Sequence, residues 1–449
     1  MDPREKRSRK AIKTTLVALD GAAAGKPLAA ALAEALRDER ELGPRERRAA
    51  ARAARAVSRD MRRIDAALGA ALPAAGLKWR DLIPEDRTLL RYLALRLAVE
   101  GEAPSRVLQE LALPGPRRPR TLSDQRLALV AGALPAADAL PVPADPIRAL
   151  AQRRSVPDFL ATALAEQEGL ERADAILAGL NEEPRLDLRA NRLLATRDEV
   201  AARLREAGVE TTPCALAPDG LVATDRSGLF GAAHAAGLFE VQDEGSQILA
   251  LACGAAPGET AIDFCAGSGG KSLALAAAVG RKGRVIACDA VEKRLAELPR
   301  RAHRAKAAGI VQVAGAEPPA GTLADAVLVD APCCGVGGMR REPDLRWRLR
   351  PEKMAELPAL QLSILRRAAT FVRPGGRLVY ATCSPLRAED EAVAEAFLRD
   401  APSFHLLDPA ETLGAPLATA VATPERFVRL WPDRHGSGAF FAAVLRRDA

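Results

Sequence analysis

The stretch AIDFCAGSGGKSLALA, Ala261 to Ala276, passes from a short apolar run through an acid into a glycine-rich turn and then a run with helical character. Asp263 closes the expected strand. Gly267, Ser268, Gly269 and Gly270 remove the side-chain bulk that would hold the backbone away from a ligand. A second strand is expected over Val285–Ala287, leading to Asp289, 22 residues after Gly267. An acid about 20 residues beyond such glycines is placed to accept hydrogen bonds from ribose hydroxyls. Turn and acid together predict a bound nucleoside. They do not separate a nicotinamide dinucleotide from S-adenosylmethionine (AdoMet), because both carry an adenosine ribose.

Outward from this stretch, strands and helices alternate from residue 242 to the end. Strands are expected at Ala261–Asp263, Val285–Asp289, Ala326–Asp330, Arg377–Thr382 and Phe440–Leu445, with helices at Lys271–Val279, Glu292–Ala308 and Glu356–Phe371. This alternation predicts an α/β, Rossmann-like domain: a largely parallel sheet covered on both faces, with ligands beyond the carboxyl ends of its strands. Two cysteine-bearing segments fall at such ends. AVLVDAPCCGVGGMRREPDLRW, Ala326 to Trp347, delivers Asp330, Pro332 and Cys333 into a loop, and GGRLVYATCSPLRAEDE, Gly375 to Glu391, delivers Cys383. A thiolate is the natural nucleophile for an electron-poor ring carbon. Its addition to carbon 6 of cytosine would turn carbon 5 into an enamine-like nucleophile able to take a methyl group. Loss of the carbon-5 proton and elimination of the thiol then restore the ring. Such chemistry needs a cysteine, a methyl donor and an acid near the pyrimidine. Cys265, Cys288 and Cys334 are read instead as small buried hydrophobes, with the Cys265 backbone still able to touch the ligand.

A chain of 449 residues predicts two or three domains. Its 48% hydrophobic and 27% charged residues fit a soluble globular protein. With no apolar run of membrane-spanning length and a charged amino terminus, MDPREKRSRK, a cytoplasmic location is expected. Seven cysteines without a CxxC pair argue for reduced thiols and against a zinc ribbon, so no metal is expected. The net charge of +7 is uneven: residues 1–150 carry 28 Lys and Arg against 19 Asp and Glu. A basic region of this kind attracts nucleic-acid phosphates, although a general bias toward Ala, Arg, Gly and Pro would also produce it.

Residues 1–130 are expected to form an all-helical domain, with Leu89, Leu90, Leu93 and Leu97 at helical spacing and a basic loop LPGPRRPRT at 113–121. Residues 131–147 read as a Pro/Ala linker. Residues 148–241 read as a small α+β module with helices within 158–180, a strand over Leu186–Ala190, and a helix that starts after Thr196 and ends at Gly208. Short strands and turns are expected in Cys214–Val222 and Gly228–Val241. Arg189, Arg192 and Arg197 could face phosphates or form a solvated basic face.

In this order and spacing, CAGSGGKS, VDAPCCGVGGMRREPDLRW and YATCSPLRAEDE resemble the RsmB/Nop (Sun-domain) family of RNA cytosine-5 methyltransferases. LNEEPRLDLRANRLLATRDEVAARLREAG, FEVQDEGSQ and LWPDRHGSGAFFAAVLRR extend the resemblance over about residues 150–449. It implies a class I AdoMet-dependent methyltransferase domain at 242–449, preceded by an RRM-like RNA-binding module. RNA, in particular ribosomal RNA, is the implied substrate; whether transfer RNA is also one is left open. Cys383 is implied to attack carbon 6 and Cys333 to assist release of the methylated base. Cys265, Ala266, Gly267, Ser268, Gly269, Gly270, Lys271 and Asp289 are implied to hold AdoMet, and Asp330 to lie between donor and base, where it could hydrogen-bond the cytosine edge. Arg340, Arg341 and Trp347 are candidates for contacting RNA or shaping its loop. The helical amino-terminal region resembles a NusB-like RNA-binding extension in position, helicity and charge only.

Three departures stand out. Gly267-Ser268 replaces the family's usual Ala-Pro in the glycine loop. Gly315 and Ala316 occupy the place of its acid after the third strand, so that either another group such as Glu317 faces adenine or the donor binds weakly. The usual acid before Gly-Phe-Phe is missing around Gly438 and Ala439. The leading expectation is thus an RNA cytosine-5 methyltransferase. A non-catalytic RNA-binding or assembly factor that keeps the fold is the alternative, and a nicotinamide-dependent oxidoreductase a distant third that leaves the two strand-end cysteines unexplained.

Overall fold

The computed structural model describes residues 3–111 and 122–449, so the basic loop expected at 113–121 lies outside the described residues. The chain divides into two compact units. One comprises the residues up to Asn181 together with Arg341–Arg348, and the other Glu182–Arg340 with Leu349–Ala449.

The first unit is helical. Leu89, Leu90 and Leu93 line the buried stripe of the helix Pro84–Ala94 and join Ile64, Leu68 and Leu72 in one core, as burial of one helix face requires. The Pro/Ala stretch expected as a linker is packed: Leu140 is buried with Ala67 and Ala98. Asp145 caps the next helix, Pro146–Arg154, by accepting from the Arg148 amide. The helices Asp158–Glu168 and Leu170–Asn181, expected with the small module, belong to this unit.

Arg341–Arg348 enters the unit from far along the chain. Arg346 is 0% exposed and donates to the carbonyls of Pro343 and Ser155 and to the Asn181 side chain at 3.0, 3.1 and 2.7 Å. Burial lowers its pKa to about 9. Trp347 Nε1 donates to the Ser58 carbonyl at 2.6 Å, and Asp344 accepts from the Leu28 amide at 3.1 Å. Trp347, a candidate for RNA contact, thus places its ring N–H inside the protein. Arg346→Ala should cost about 3 kcal/mol, since it strands buried acceptors and leaves a cavity. A urea unfolding curve of the whole chain should show the loss in the transition of this unit.

The second unit holds two sheets. The smaller has order β2-β3-β1-β4 and is antiparallel throughout: β1 Leu186–Ala190, β2 Thr211–Pro213, β3 Gly220–Ala223 and β4 Phe239–Val241. The helix Arg197–Glu206 begins with a capping box between Thr196 and Glu199, and Val200 and Leu204 pack on Leu188 and Phe239. Of Gly228–Val241, expected as short strands and turns, β4 is the strand; a single helical turn, Ala232–Ala235, precedes it.

The larger sheet has eight strands: β5 Thr260–Asp263, β6 Arg284–Ala287, β7 Val311–Val313, β8 Ala324–Asp330, β9 Val372–Thr382, β10 Phe404–Leu406, β11 Val428–Leu430 and β12 Phe440–Arg447. The order is β10-β12-β9-β8-β5-β6-β7, with β11 on β12. The pairs β7-β6-β5-β8-β9 are parallel, and β12 runs antiparallel to β9. Alternate residues feed the two cores. Ala261 and Val285 join the layer of Leu273 and Ala276, whereas Ile262 and Val327 join that of Leu365 and Ala368. The helix expected over Glu292–Ala308 is broken. A 3₁₀ stretch, Glu292–Glu297, precedes a short helix Leu298–Arg304 that carries Pro299 in its first turn, where a missing N–H is tolerated.

Candidate active site

Strands β8 and β9 are parallel neighbours with Asp330 opposite Ala381, so the residues after each strand leave the sheet side by side. The Ala331 amide still donates to the Ala381 carbonyl at 2.9 Å. Beyond that bond the two loops bring Cys333 Sγ within 3.3 Å of Cys383 Sγ. The Gly337 amide donates to the Cys383 carbonyl at 3.0 Å. A Cβ at Gly337 would fall 2.8 Å from that same oxygen and 2.1 Å from the Ala439 carbonyl oxygen, so only glycine permits this approach. The hydrogen bond to Cys383, together with burial and the neighbouring charge of Glu389, pushes the Cys333 thiol well above its ordinary pKa. With Cys383 free beside it, Cys333 therefore favours its protonated form. Cys288 and Cys334 are buried, and burial raises both thiols.

Beside this pair, β5 ends at Asp263, and the turn that follows reaches the helix Gly270–Val279 through Gly267 and Gly269, both at positive φ. Asp289 closes the far wall: Oδ2 accepts from the Gly267 amide at 3.0 Å and Oδ1 from the Val291 amide at 2.8 Å. Asp263 is buried. Its Oδ2 accepts from Ser272 Oγ at 2.7 Å, while Oδ1 has no hydrogen-bond partner among the described residues. Burial first, and the nearby carboxylates Asp330 and Asp289 next, push this acid up to about 7, against the Ser272 hydrogen bond. Lys271 Nζ lies 2.6 Å from Asp330 Oδ2. Burial opposes the charge on Lys271, but Asp330 beside it wins and raises the pKa. Carboxylates, an ammonium and backbone amides around a glycine turn are the donor set that a zwitterionic sulfonium nucleoside requires.

Several expected residues have other duties. Arg189, a candidate for phosphates, is 7% exposed and donates to the Gly270 carbonyl at 2.9 Å, behind the glycine turn. Arg192 and Arg197 stay near the surface, paired with Asp219 and Asp198. Arg340 is 5% exposed and donates to the Ser437 carbonyl at 2.9 Å and the Glu182 carboxylate at 2.9 Å, so it braces the loop rather than facing RNA. Glu317, expected opposite adenine, pairs with Arg367 at 2.9 Å. The acid near Gly315 is Glu292, whose Oε1 would lie 3.2 Å from a Cβ added there.

Sequence reasoning missed Arg301. It donates to the Ser268 carbonyl at 2.6 Å and hydroxyl at 2.9 Å, and its other nitrogen reaches Glu240 of β4 at 2.8 Å. The turn that lacks the stiff Ala-Pro is thus clamped from outside. A cavity of about 380 Å³ lined by Arg189, Asp219, Gln247 and Ala277 lies apart from these groups and touches neither cysteine.

A seven-strand path with one antiparallel strand, a glycine turn after β5 and an acid after its neighbour β6 define a class I methyltransferase fold. Models of known families match accordingly: "16S rRNA methyltransferase RsmB/F" over residues 250–446 and "Methyltr_RsmF/B-like, ferredoxin-like domain" over 156–227. The Ribosomal RNA small subunit methyltransferase B of Pseudomonas syringae pv. tomato is 33% identical over 312 residues, 68% of each chain. The Probable ribosomal RNA small subunit methyltransferase B of Synechocystis sp. is 34% identical over 306 residues, 66% of this chain and 68% of that one. The crystal structure of PH0851 superposes with a TM-score of 0.76 at 25% identity, covering 98% of this chain and 99% of that one. The chain belongs to the RsmB/F family of methyltransferases and is an AdoMet-dependent RNA methyltransferase, which removes the oxidoreductase reading. Among the described residues no helix is long and apolar enough to cross a membrane.

Arg301→Ala should weaken AdoMet binding about tenfold, because two charge-assisted hydrogen bonds to the turn are lost. Calorimetry reads the affinity. A thermal unfolding midpoint within a few degrees of the parent would show that the loss is local.

Proposed function

We propose that the protein methylates carbon 5 of a cytosine in 16S ribosomal RNA through a transient bond between Cys383 and the base. The observation that carries this reading is the pair of sulfurs 3.3 Å apart at the ends of adjacent strands, on the same edge of the sheet as the Lys271–Asp330 pair. One nucleophile would suffice for addition alone. A second sulfur beside it has a use only if the adduct must also be taken apart.

In the proposed cycle Cys383, as thiolate, adds to carbon 6, and Asp330 hydrogen-bonds the cytosine edge while charge builds there. AdoMet, when bound, supplies an electrophilic methyl group. Carbon 5 takes that methyl as its bond to the donor sulfur breaks. With Cys383 bonded to carbon 6, the neighbour that raised the Cys333 thiol is neutral, so Cys333 releases its proton to solvent; as thiolate it takes the carbon-5 proton, the carbon 6–sulfur bond breaks, and Cys383 departs as thiolate. On the donor side Asp289 would hold the ribose hydroxyls, Lys271 the donor's carboxylate, and Asp263 and Asp330 its ammonium. Cys265 to Gly270 would supply the backbone of the cradle. Glu292, rather than Glu317, would meet the adenine amino group.

Incubation with labelled AdoMet and unmodified small-subunit ribosomal RNA should yield 5-methylcytosine at one position, found by nucleoside digestion and bisulfite sequencing. Label on another atom or another base would refute the assignment. No label together with no AdoMet binding at millimolar concentration would leave an assembly factor that has lost its donor.

A further inference from the structure

Between the cysteine loops lies a carboxylate that the proposed cycle does not use. Glu389 is 1% exposed. Its Oε2 accepts from the Cys334 amide at 2.8 Å and from Gln361 Nε2 at 3.0 Å, and its Oε1 accepts from Ser384 Oγ at 3.1 Å. Gln361, on the helix Pro351–Ala369, also donates to the Pro332 carbonyl at 2.9 Å. Ser384 Oγ in turn accepts from the Leu386 amide at 3.1 Å and lies 3.4 Å from Cys334 Sγ. The Tyr380 hydroxyl donates to the Glu389 carbonyl from within β9, which fixes the residue's backbone to the sheet.

The residues on both sides of Cys333 and the residue after Cys383 therefore hang on one carboxylate and its amide partner. A carboxylate offers only acceptors, and here donors from two loops and a helix occupy it. Without it the Cys334 amide and the Ser384 hydroxyl would be buried and short of a partner, and the loops would have to move to find one.

We propose that Glu389 is a positioning residue that sets the distance between the Cys333 and Cys383 sulfurs and so makes them act on one base. Its catalytic consequence rests on the function proposed above; its geometric content does not, and the two are tested separately.

The probe is diamide acting on the whole chain without RNA. It joins two thiols as a disulfide while their two protons and two electrons reduce its azo bond to a hydrazine. Mass spectrometry of the Cys333–Cys383 cross-linked peptide gives the rate. Glu389→Ala should cross-link at least about tenfold more slowly than the parent, and Glu389→Gln within about threefold of it, because the amide keeps an acceptor for Cys334 and a polar group for Ser384. With RNA and AdoMet, Glu389→Ala should lower kcat about 100-fold with the AdoMet KM unmoved, and Glu389→Gln should restore most of it.

Parent-like cross-linking in Glu389→Ala, or Glu389→Gln as slow as Glu389→Ala, would overturn the proposal. Should circular dichroism show Glu389→Ala unfolded, Ser384→Ala releases one loop and keeps the carboxylate. Slower cross-linking there supports the clamp, and an unchanged rate refutes it. A parent that cross-links quickly yet makes no 5-methylcytosine would sink the function and leave the clamp standing.

Discussion

Cys383→Ala is expected to lower methyl transfer by about 10⁴-fold or more, because removal of the proposed nucleophile would disable a machinery whose other parts act only through it. No nearby group can stand in. Cys333 is 3.3 Å away, but its thiol is held in the protonated form by that same neighbour, by burial and by Glu389. The loss should fall entirely on the chemical step. Asp289, Lys271 and the glycine turn are anchored by bonds that do not involve Cys383, so AdoMet affinity measured by calorimetry should stay within a factor of about two of the parent. Residual activity above a few per cent in Cys383→Ala would assign the nucleophile elsewhere.

Cys333→Ala is expected to do something different: the protein should become bonded to its RNA and stay so. Addition through Cys383 and methyl transfer remain possible, but the sulfur placed to receive the carbon-5 proton is gone. Turnover should fall about 10³-fold, within the range for loss of a positioned proton-transfer group. The adduct should run as a slow band on a denaturing gel that ribonuclease collapses. The double variant Cys333→Ala/Cys383→Ala should show no such band. Were Cys333→Ala to turn over normally without an adduct, the second sulfur would have no role in release.

What could be read in the sequence was local. An acid, a glycine turn and a helix-forming run are consecutive in the chain, and the strand-end positions of Cys333 and Cys383 follow from two apolar runs that stop just before them. Adjacency of β8 and β9 then brings the sulfurs together. The break near Pro299 was also local, yet the helical pattern on both sides of it masked the proline. The clamp on the turn was not legible: Ser268 meets Arg301 33 residues away, and Arg301 meets Glu240 61 residues away. No periodicity marks such partners. Arg189 misled for a related reason, since a basic run among polar residues reads as a solvated face until the fold turns one member inward.

The reach of the helical unit was hidden in composition. Alanine and proline between 131 and 147 suggested a tether, but Leu140 among them has a core to enter. The capped helix after it continues the unit to Asn181. The segment Arg341–Arg348 is subtler still. It begins seven residues after Cys334 in the chain, yet the buried Arg346 guanidinium donates to the Ser155 carbonyl and the Asn181 side chain of the helical unit. A charged residue of that kind reads as a surface group in a sequence and turns out to be structural when carbonyls and a side-chain amide of the protein receive its donors.

The most direct test of the central claim is to trap the bond itself. With small-subunit RNA carrying 5-fluorocytidine, carbon 5 has no proton to lose after methylation, so elimination stops and the adduct persists. Tandem mass spectrometry of the digested complex should then find the methylated fluorocytosine on the peptide that contains Cys383, at its sulfur. The base on Cys333 instead, or no covalent complex from an enzyme that binds both AdoMet and RNA, would contradict it.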